Sequence, residues 1–430
     1  MAKEYLPASF FAAVFPHVKF FEGIVNIVSL RPFILAIALT VPGLFLRFAH
    51  EGLSPLLVAL LAGAAILGAS FLLTWACEVA QMDIPQAVAV AVVAFIAVLP
   101  EYAVDMYFTW MAGQHPESAY AHYAIANMTG ANRLLIGVGW SAIVLVFAWK
   151  HRSSVQLDEG HRTDVLFLAL ATVYALCIPI KGSLQWYDGL VLVGIYAWYI
   201  RIIARRPCEE EEPEGPAEVL AVLPRSRRIR VVLGLFLFAA LVILLNAEPF
   251  SESLVASGKL LGINEFLLVQ WLAPIASEAP EFIVALMFAA RGNANLALGS
   301  LLSSKLNQWT LLVGMIPGMY AFSSGSLAQP IPLDAYQLQE LLLTAGQSLF
   351  AVALLLNMRL SLREGCVLLG LFLVQFSAPL YEEALAALLH MPAARLQLHL
   401  FYANVYLVLA LILLVARYKK VMRLKAGFCS

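Results

Sequence analysis

Long apolar segments dominate this chain of 430 residues and restrict what it can fold into. Because an α-helix needs about 20 apolar residues to cross a hydrocarbon core of ~30 Å, each run of roughly that length is a possible membrane span. A mean hydropathy of +0.83 with 62% hydrophobic residues excludes an ordinary soluble domain. We predict an all-α polytopic membrane protein with twelve transmembrane helices. Their predicted ranges are 33–49, 55–76, 86–112, 119–149, 163–180, 187–203, 230–247, 264–289, 295–321, 338–357, 364–380 and 398–416.

The distribution of Lys and Arg predicts how these helices are oriented. With the N-terminus placed in the cytoplasm, 21 of the 27 basic residues fall on the inside and only four on the outside. The four outside residues are Arg47, Lys181, Lys259 and Arg395. Because cytoplasmic loops carry an excess of basic residues, we expect both termini in the cytoplasm and the protein in the plasma (inner) membrane.

A polar linker separates two apolar halves. The stretch 204–229 is acidic and contains proline in its first part and is basic in its second, which is typical of a solvated connection. It divides a first transmembrane half over 33–203 from a second half over 230–417. We expect a cytoplasmic or interfacial N-terminus over 1–32 and a basic cytoplasmic tail over 418–430.

The two halves carry the same short pattern. Pro-Glu recurs at an offset of 180 residues, with its acids at Glu101 and Glu281. Each pair is followed by a short polar turn and a second segment bearing Gly, Ser and Asn, within 86–149 and 264–321. In the predicted topology the first Pro-Glu segment runs outward and the second runs inward. Inverted repeats are typical of alternating-access transporters with a binding site near the bilayer midplane.

Two carboxylates lie one helical turn apart inside the span 264–289. Glu278 and Glu281 are interleaved with Pro274 and Pro280. A charge within the membrane is costly and a proline there frees backbone carbonyls, so the combination indicates use of these groups. One interpretation is a kinked helix whose acids pair with a neighbour. The functional interpretation is half of a cation-binding site.

This paired pattern resembles the two α-repeats of the sodium/calcium exchangers and the wider Ca2+:cation antiporter superfamily. Family repeats have Pro-Glu on a broken helix, followed by a helix with a Gly-Ser-Asn-like start. This chain keeps Pro-Glu twice, Gly-Ala-Asn132 in the first repeat, and Ser277 and Ser304 in the second. The resemblance covers about 86–149 and 264–321. It implies a core of five plus five inverted helices, with one extra helix at each end.

The resemblance implies a secondary antiporter that moves Ca2+ or Na+ in exchange for H+ or Na+. Glu101 and Glu281 are the implied paired carboxylate ligands across the pseudo-two-fold axis, and hard oxygen ligands suit both cations. Further candidate ligands are Glu278, Asn127, Asn132, Ser277, Ser304 and Asn307. The cation is a substrate, so no cofactor is expected. The expected partners are inorganic cations, protons and the lipid bilayer, with no nucleic acid.

Three charged residues could modify the site. Lys305 stands where the family has a second Asn or Asp ligand, about 15 Å deep in a ~30 Å core, and we expect it to pair with Glu278 or Glu281. Asp105 could form a structural ion pair with Arg133 or could take part in transport. The formal charge of all six groups is −2, which suits one divalent or two monovalent ions; the six are Glu101, Asp105, Glu278, Glu281, Arg133 and Lys305.

The coupling ion and the alternatives depend on further departures from the family pattern. Ala97 and Val98 offer no oxygen where the family has small hydroxyls that resemble sodium ligands, which favours proton coupling slightly over sodium coupling. A second possibility is a member that has lost transport and acts as a membrane scaffold or sensor, with Lys305 in place of the ion. An enzyme is not expected, because the helices contain no nucleophile elbow, HExxH or Cys/His cluster.

Overall fold

The computed structural model describes residues 19–49, 52–84, 94–205, 213, 215–327, 329–390, 392 and 397–424. Within these ranges the long helices are α1 (Lys19–Ala49), α2 (Pro55–Ala80), α3 (Leu99–Gln114), α4 (Tyr120–His151), α5 (Arg162–Lys181), α6 (Trp186–Ile203), α7 (Arg225–Leu261), α8 (Glu265–Arg291), α9 (294–324), α10 (Ala335–Leu355), α11 (Leu362–Phe376), α12 (Ala378–Leu388) and α13 (Leu398–Ala416). Shorter helices are Ala94–Ala97, Glu159–His161, Gly215–Ala217, Glu218–Ala221 and Tyr418–Leu424. Strand β1 (Val155–Gln156) pairs antiparallel with β2 (Arg359–Leu360).

The protein is an all-α polytopic membrane protein, but the predicted count of twelve spans is not confirmed. In the described ranges, seven helices are long and apolar enough to cross a membrane. An eighth span results if α11 and α12, which meet at an angle of 66°, are counted together. The predicted span 364–380 is therefore bent near its end. Helix α3 begins only at Leu99, and 85–93 of the predicted span 86–112 lie outside the described residues.

Two predicted boundaries differ from the observed helices. Helix α1 begins at Lys19, so that 19–32 continues into the first predicted span as one helix. Helix α7 begins at Arg225 inside the predicted linker. Residues 1–18, the stretch 206–212 and the tail after Leu424 lie outside the described part of the chain.

Two backbone pairings at opposite ends of the bundle show that the halves are inverted. At one end, the α4–α5 connection pairs with the α10–α11 connection through β1 and β2. At the other end, Leu184 after α5 pairs with Ile331 before α10. Helix α5 therefore runs from the first end to the second, and α10 runs in the opposite direction. These two helices occupy equivalent places in the two halves and contact each other.

The helix packing repeats across the same pseudo-two-fold axis. Helix α2 packs on α8, and the counterpart of α2 in the second half, α7, packs on α3. In the same way α3 packs on α9, and the counterpart of α3, α8, packs on α4. Helices α5 and α6 contact α9, while α10 and α11 contact α4. Small residues allow the close central crossings, because any side chain at Gly130 would overlap the backbone of Gln270 on α8. Two sets of five helices thus interlock as inverted repeats, as the sequence predicts.

Both central helices are interrupted by a π-helical turn at the same place. In α4 the turn is Leu135–Trp140, and in α9 it is Gln308–Leu312. Such turns are rare and often lie at functional sites. They also align the two repeats residue by residue: Asn132 and Lys305 each lie three residues before the turn of their own helix.

Candidate functional site

The first acid of the site lies at the start of α3. Pro100 occupies the first turn, where its missing N–H costs no helical hydrogen bond, and Glu101 follows it close to the positive end of the helix dipole. The Glu101 side chain is only 2% exposed, and its Oε2 atom has no hydrogen-bonding partner among the described residues. It interacts electrostatically with Glu278 and Glu281 of the second repeat. Acids from both repeats therefore contribute to one buried cluster.

The second pair of acids lies on α8, which contains Pro274 and Pro280. Glu278 is fully buried; its Oε1 accepts from Gln308 Nε2 at 3.1 Å, and its Oε2 has no partner in the described chain. Glu281 is partly exposed and accepts from Ser304 Oγ at 2.5 Å. Glu278 is thus more deeply buried than Glu281, which is the residue equivalent to Glu101 in the sequence.

Lys305 occupies the axis between the repeats. It is fully buried, and its Nζ donates to Asn132 Oδ1 at 2.6 Å and to the Asn132 carbonyl at 3.3 Å. The ammonium also lies 4.4 Å from the centre of the Trp309 ring. The prediction of a direct ion pair with Glu278 or Glu281 is wrong. Equivalent positions of α4 and α9 meet here, so the ammonium binds the amide oxygen of Asn132 instead. Glu278 still interacts with Lys305 electrostatically.

The suggested ion pair between Asp105 and Arg133 is also wrong. Arg133 NH2 lies 2.5 Å from Glu340 Oε2 on α10, and both side chains are almost completely buried. Gln270 Nε2 donates to the same carboxylate at 2.9 Å, and His399 Nε2 lies 2.7 Å from its other oxygen. Arg133 points away from α3 because Glu340 offers a buried carboxylate on the adjacent helix. Its charge is therefore neutralised outside the acidic cluster.

The remaining predicted ligands divide into two groups. Asn127 Nδ2 donates to Asp105 Oδ1 at 2.7 Å, and Asn307 Oδ1 accepts from Tyr102 OH at 2.7 Å, so both lie in the central polar region. Ser277 instead donates to carbonyls of its own helix, those of Ala273 and Pro274, at 3.3 Å. The structure therefore brings together most of the predicted polar groups but directs Ser277 to its own backbone.

A cavity of about 1360 Å³ opens at the end of the protein that carries β1 and β2. One wall is the end of α2, including Glu78, and the opposite wall is the turn between α8 and α9. That turn contains Gly292 with φ +102°, a backbone conformation that glycine adopts without strain. The cavity therefore lies between the end of α2 and the turn that connects the two central helices of the second repeat.

Several residues of the site were missed by the sequence reasoning. They are Tyr102, Gln270, Gln308, Glu340 and His399. Gln308 had a signal, because it directly follows Asn307 in the second repeat. Glu340 also had a signal in the sequence, because an acid near the start of an apolar span requires a buried partner. Arg133 was one of only two basic residues placed in the membrane and was therefore a possible partner. Gln270, Tyr102 and His399 carried no comparable signal.

Comparison with known proteins gives the same fold. The model of the sodium/calcium exchanger protein family matches residues 53–204 and 231–379. The crystal structure of the H+/Ca2+ exchanger CAX is 43% identical in sequence with a TM-score of 0.84, and the match covers 92% of this chain and 96% of that one. Structures of the sodium-calcium exchanger NCX_Mj are also similar; one soaked with Na+ and Sr2+ has 19% identity and a TM-score of 0.49, covering 80% of this chain and 99% of that one. A search of curated proteins gives no match.

The inverted repeats and the central acids define a polytopic membrane antiporter for cations. The chain belongs to the sodium/calcium exchanger family. This is a family of transporters and not of enzymes, and the alternative of a scaffold or sensor without transport gains no support.

Proposed function

We propose that this antiporter exchanges Ca2+ for protons, with Glu101 and Glu278 as the central ligands. The observation that carries the proposal is that both acids are buried, interact electrostatically between the repeats, and each keep one carboxylate oxygen without a partner in the described chain. Buried charges are normally paired or bound to a cation. The 43% identity to an H+/Ca2+ exchanger supports the choice of ions.

The charge of the site suits one divalent ion. Arg133 is neutralised by Glu340, so it does not count toward the central site. Glu101, Asp105, Glu278 and Glu281 together carry a formal −4, and Lys305 reduces this to −3. One Ca2+ ion with one retained proton, or three protons, would balance that charge. Exchange of the two species would therefore leave the buried centre neutral in both states, which keeps the desolvation penalty low.

Ion access and discrimination follow from the same residues. Glu281 is partly exposed and, with Ser304, would be the first ligand that an ion entering through the cavity reaches. Val98, which is buried, offers no side-chain oxygen, and Ser277 is directed to its own helix. Few hydroxyl ligands for Na+ therefore surround the two central acids, which favours proton coupling. No resident cofactor is required, since the cation is the substrate.

Transport by purified protein in proteoliposomes tests the proposal. Glu101→Gln and Glu278→Gln should each abolish proton-driven Ca2+ uptake while the protein remains monodisperse, because losing one of two anionic ligands costs several kcal/mol of cation binding. Glu383→Gln, at an exposed position, is the matched control and should keep wild-type uptake. Full uptake in both central variants would refute the site assignment. Uptake driven equally well by a sodium gradient would refute proton coupling.

The proposed orientation places the cavity in the cytoplasm of a plasma (inner) membrane protein with both termini inside. Basic residues support it, since Arg152, Arg228 and Arg363 lie toward the end that carries β1 and β2, whereas Lys181 lies at the opposite end. The segments 1–32, 204–229 and 418–430 would then be cytoplasmic. An impermeant thiol reagent added to intact cells should not label Cys208 in this orientation, and efficient labelling from outside would reverse it.

A further inference from the structure

The outward face of α6 changes in character along its length. Its exposed positions include Leu190 and Gly194 in the middle of the helix, Trp198 near its end, and Arg201 and Arg205 at and just after its last turn. Because these positions recur every three or four residues, they lie on one face of the helix. That face is therefore apolar over its middle, aromatic near its end and basic at the end itself.

Helix α6 runs toward the end of the protein that carries β1 and β2. It begins just after Leu184, which pairs at the opposite end, and near its own end the ring of Trp198 lies 5.3 Å from that of Phe167 in the first part of α5. Exposed tryptophans of membrane proteins lie at the level of the lipid headgroups. At 1.5 Å per residue, Arg201 and Arg205 lie about 4 and 10 Å beyond Trp198, which places both in the headgroup layer.

A shallow cleft of about 380 Å³ opens between these side chains. Its lining residues are Trp198, Arg201, Ile202 and Arg205. Within the described part of the chain, neither arginine forms an ion pair. By contrast Arg228, at the same end, has the carboxylate of Asp83 at 2.7 Å. Two like charges four residues apart on a helix repel each other, so an anion between Arg201 and Arg205 would stabilise the pair.

The cleft and the helix face below it fit a phosphate that is attached to a lipid chain. Guanidinium groups donate paired hydrogen bonds to phosphate oxygens. Gly194 lies one turn before Trp198, toward the middle of the helix, and apart from its own helix turn no atom of the described chain lies within 4 Å of the position that a Cβ would take. An acyl chain that descends from the phosphate past Trp198 would fill this gap, whereas a free phosphate ion would leave it empty.

We propose that Arg201 and Arg205 bind the phosphate of an anionic phospholipid whose acyl chain lies over Gly194. An anionic headgroup offsets the charge of the two arginines, while a zwitterionic headgroup brings an ammonium group that they repel. The competing occupant is the acidic stretch 209–212, which follows Arg205 in the sequence. The proposal concerns lipid binding alone and does not depend on which ions the protein exchanges.

Native mass spectrometry of the purified full-length protein in detergent tests this site. The wild type should retain one molecule of added phosphatidylglycerol saturably, with at least a tenfold preference over phosphatidylcholine. Equal retention of the two lipids would refute the proposal, and so would no retention, the result expected if the stretch 209–212 occupies the arginines. Millimolar inorganic phosphate should not displace the lipid, and complete displacement would show a site for free phosphate instead.

A matched pair of double variants separates a specific site from general attraction between charges. Arg201→Gln/Arg205→Gln should weaken phosphatidylglycerol retention at least tenfold, because both phosphate donors are lost. Arg227→Gln/Arg230→Gln removes the same number of charges from exposed positions at the start of α7 and should retain the lipid as the wild type does. Equal losses in the two double variants would overturn the assignment of the lipid to α6.

A pair of glycine variants tests the place of the acyl chain. Gly194→Leu fills the gap on the face of α6 with a side chain that helices favour, and it should weaken retention of phosphatidylglycerol several-fold. Gly370→Leu makes the same change at an exposed glycine of α11 whose surroundings are equally open, and it should have no effect. Unchanged retention in Gly194→Leu would refute the proposed path of the chain.

Discussion

Replacing Lys305 tests whether the buried ammonium acts as a built-in competitor of the transported ion. The ammonium is fixed by Asn132 at 2.6 Å, on the axis between the acids of the two repeats. Lys305→Asn removes its charge and adds an amide oxygen, and Lys305→Met removes the charge alone. The pair therefore separates the effect of charge from that of a new ligand.

The expected magnitude follows from Coulomb's law. An ammonium and a divalent ion about 7 Å apart repel each other by roughly 5 kcal/mol at an effective dielectric constant of 20. Protons that bind to the acids once the lysine is gone would offset part of this gain, so we expect at least ~1.4 kcal/mol to remain, a tenfold rise in Ca2+ affinity. Both variants should show the rise, and only Lys305→Asn should make Ca2+ binding newly sensitive to Na+.

The assay is equilibrium Ca2+ binding to purified protein at alkaline pH, where protons compete least. Lys259→Asn, which removes an exposed lysine at the end of α7, is the control and should bind Ca2+ as the wild type does. An unchanged Ca2+ affinity in both Lys305 variants would show that the ammonium does not compete with the ion. It would then act as a structural link between α4 and α9.

Two further predictions concern the supporting contacts. Glu340→Gln leaves the Arg133 charge buried without its partner and should destabilise the protein by about 3–5 kcal/mol, visible as a lower thermal unfolding temperature in detergent, whereas Glu383→Gln should have little effect. Hydrogen bonds from Arg228, together with its charge, lower the pKa of Asp83 below its usual range. Asp83 therefore stabilises the fold above the ordinary carboxyl pKa of about 4 and loses this effect as the pH falls through its lowered pKa. Asp83→Asn should accordingly be less stable than the wild type near neutral pH. A difference in stability that persists in acid would refute this account.

The fold was predictable from the sequence because membrane spans depend on local composition. Apolar runs and the recurrence of Glu101 and Glu281 were enough to predict inverted helical repeats. Helix ends were less predictable, since α1 continues through 19–32 and α11 turns into α12 by 66°. Such bends and extensions depend on packing against other helices and not on the apolar content of a segment.

The site was predictable in composition but not in pairing. The sequence identified the acids and Lys305 as unusual residues for a membrane interior. Sequence spacing made Glu281 the equivalent of Glu101, whereas the structure shows that Glu278 is more deeply buried and that Glu281 accepts a hydrogen bond from Ser304. The partner of Arg133 was equally hidden, because Glu340 is distant in sequence and reaches it only through the contact between α4 and α10.

The contact between Asn132 and Lys305 bears on the origin of the chain. These residues hold the same place in the two repeats and touch each other at the axis. In a dimer of identical half-length ancestors, the same residue would meet its own copy there. Two lysines would repel each other without water, while two asparagines could bond. A lysine opposite an asparagine at this point thus requires two halves that vary separately, as the halves of a single chain can.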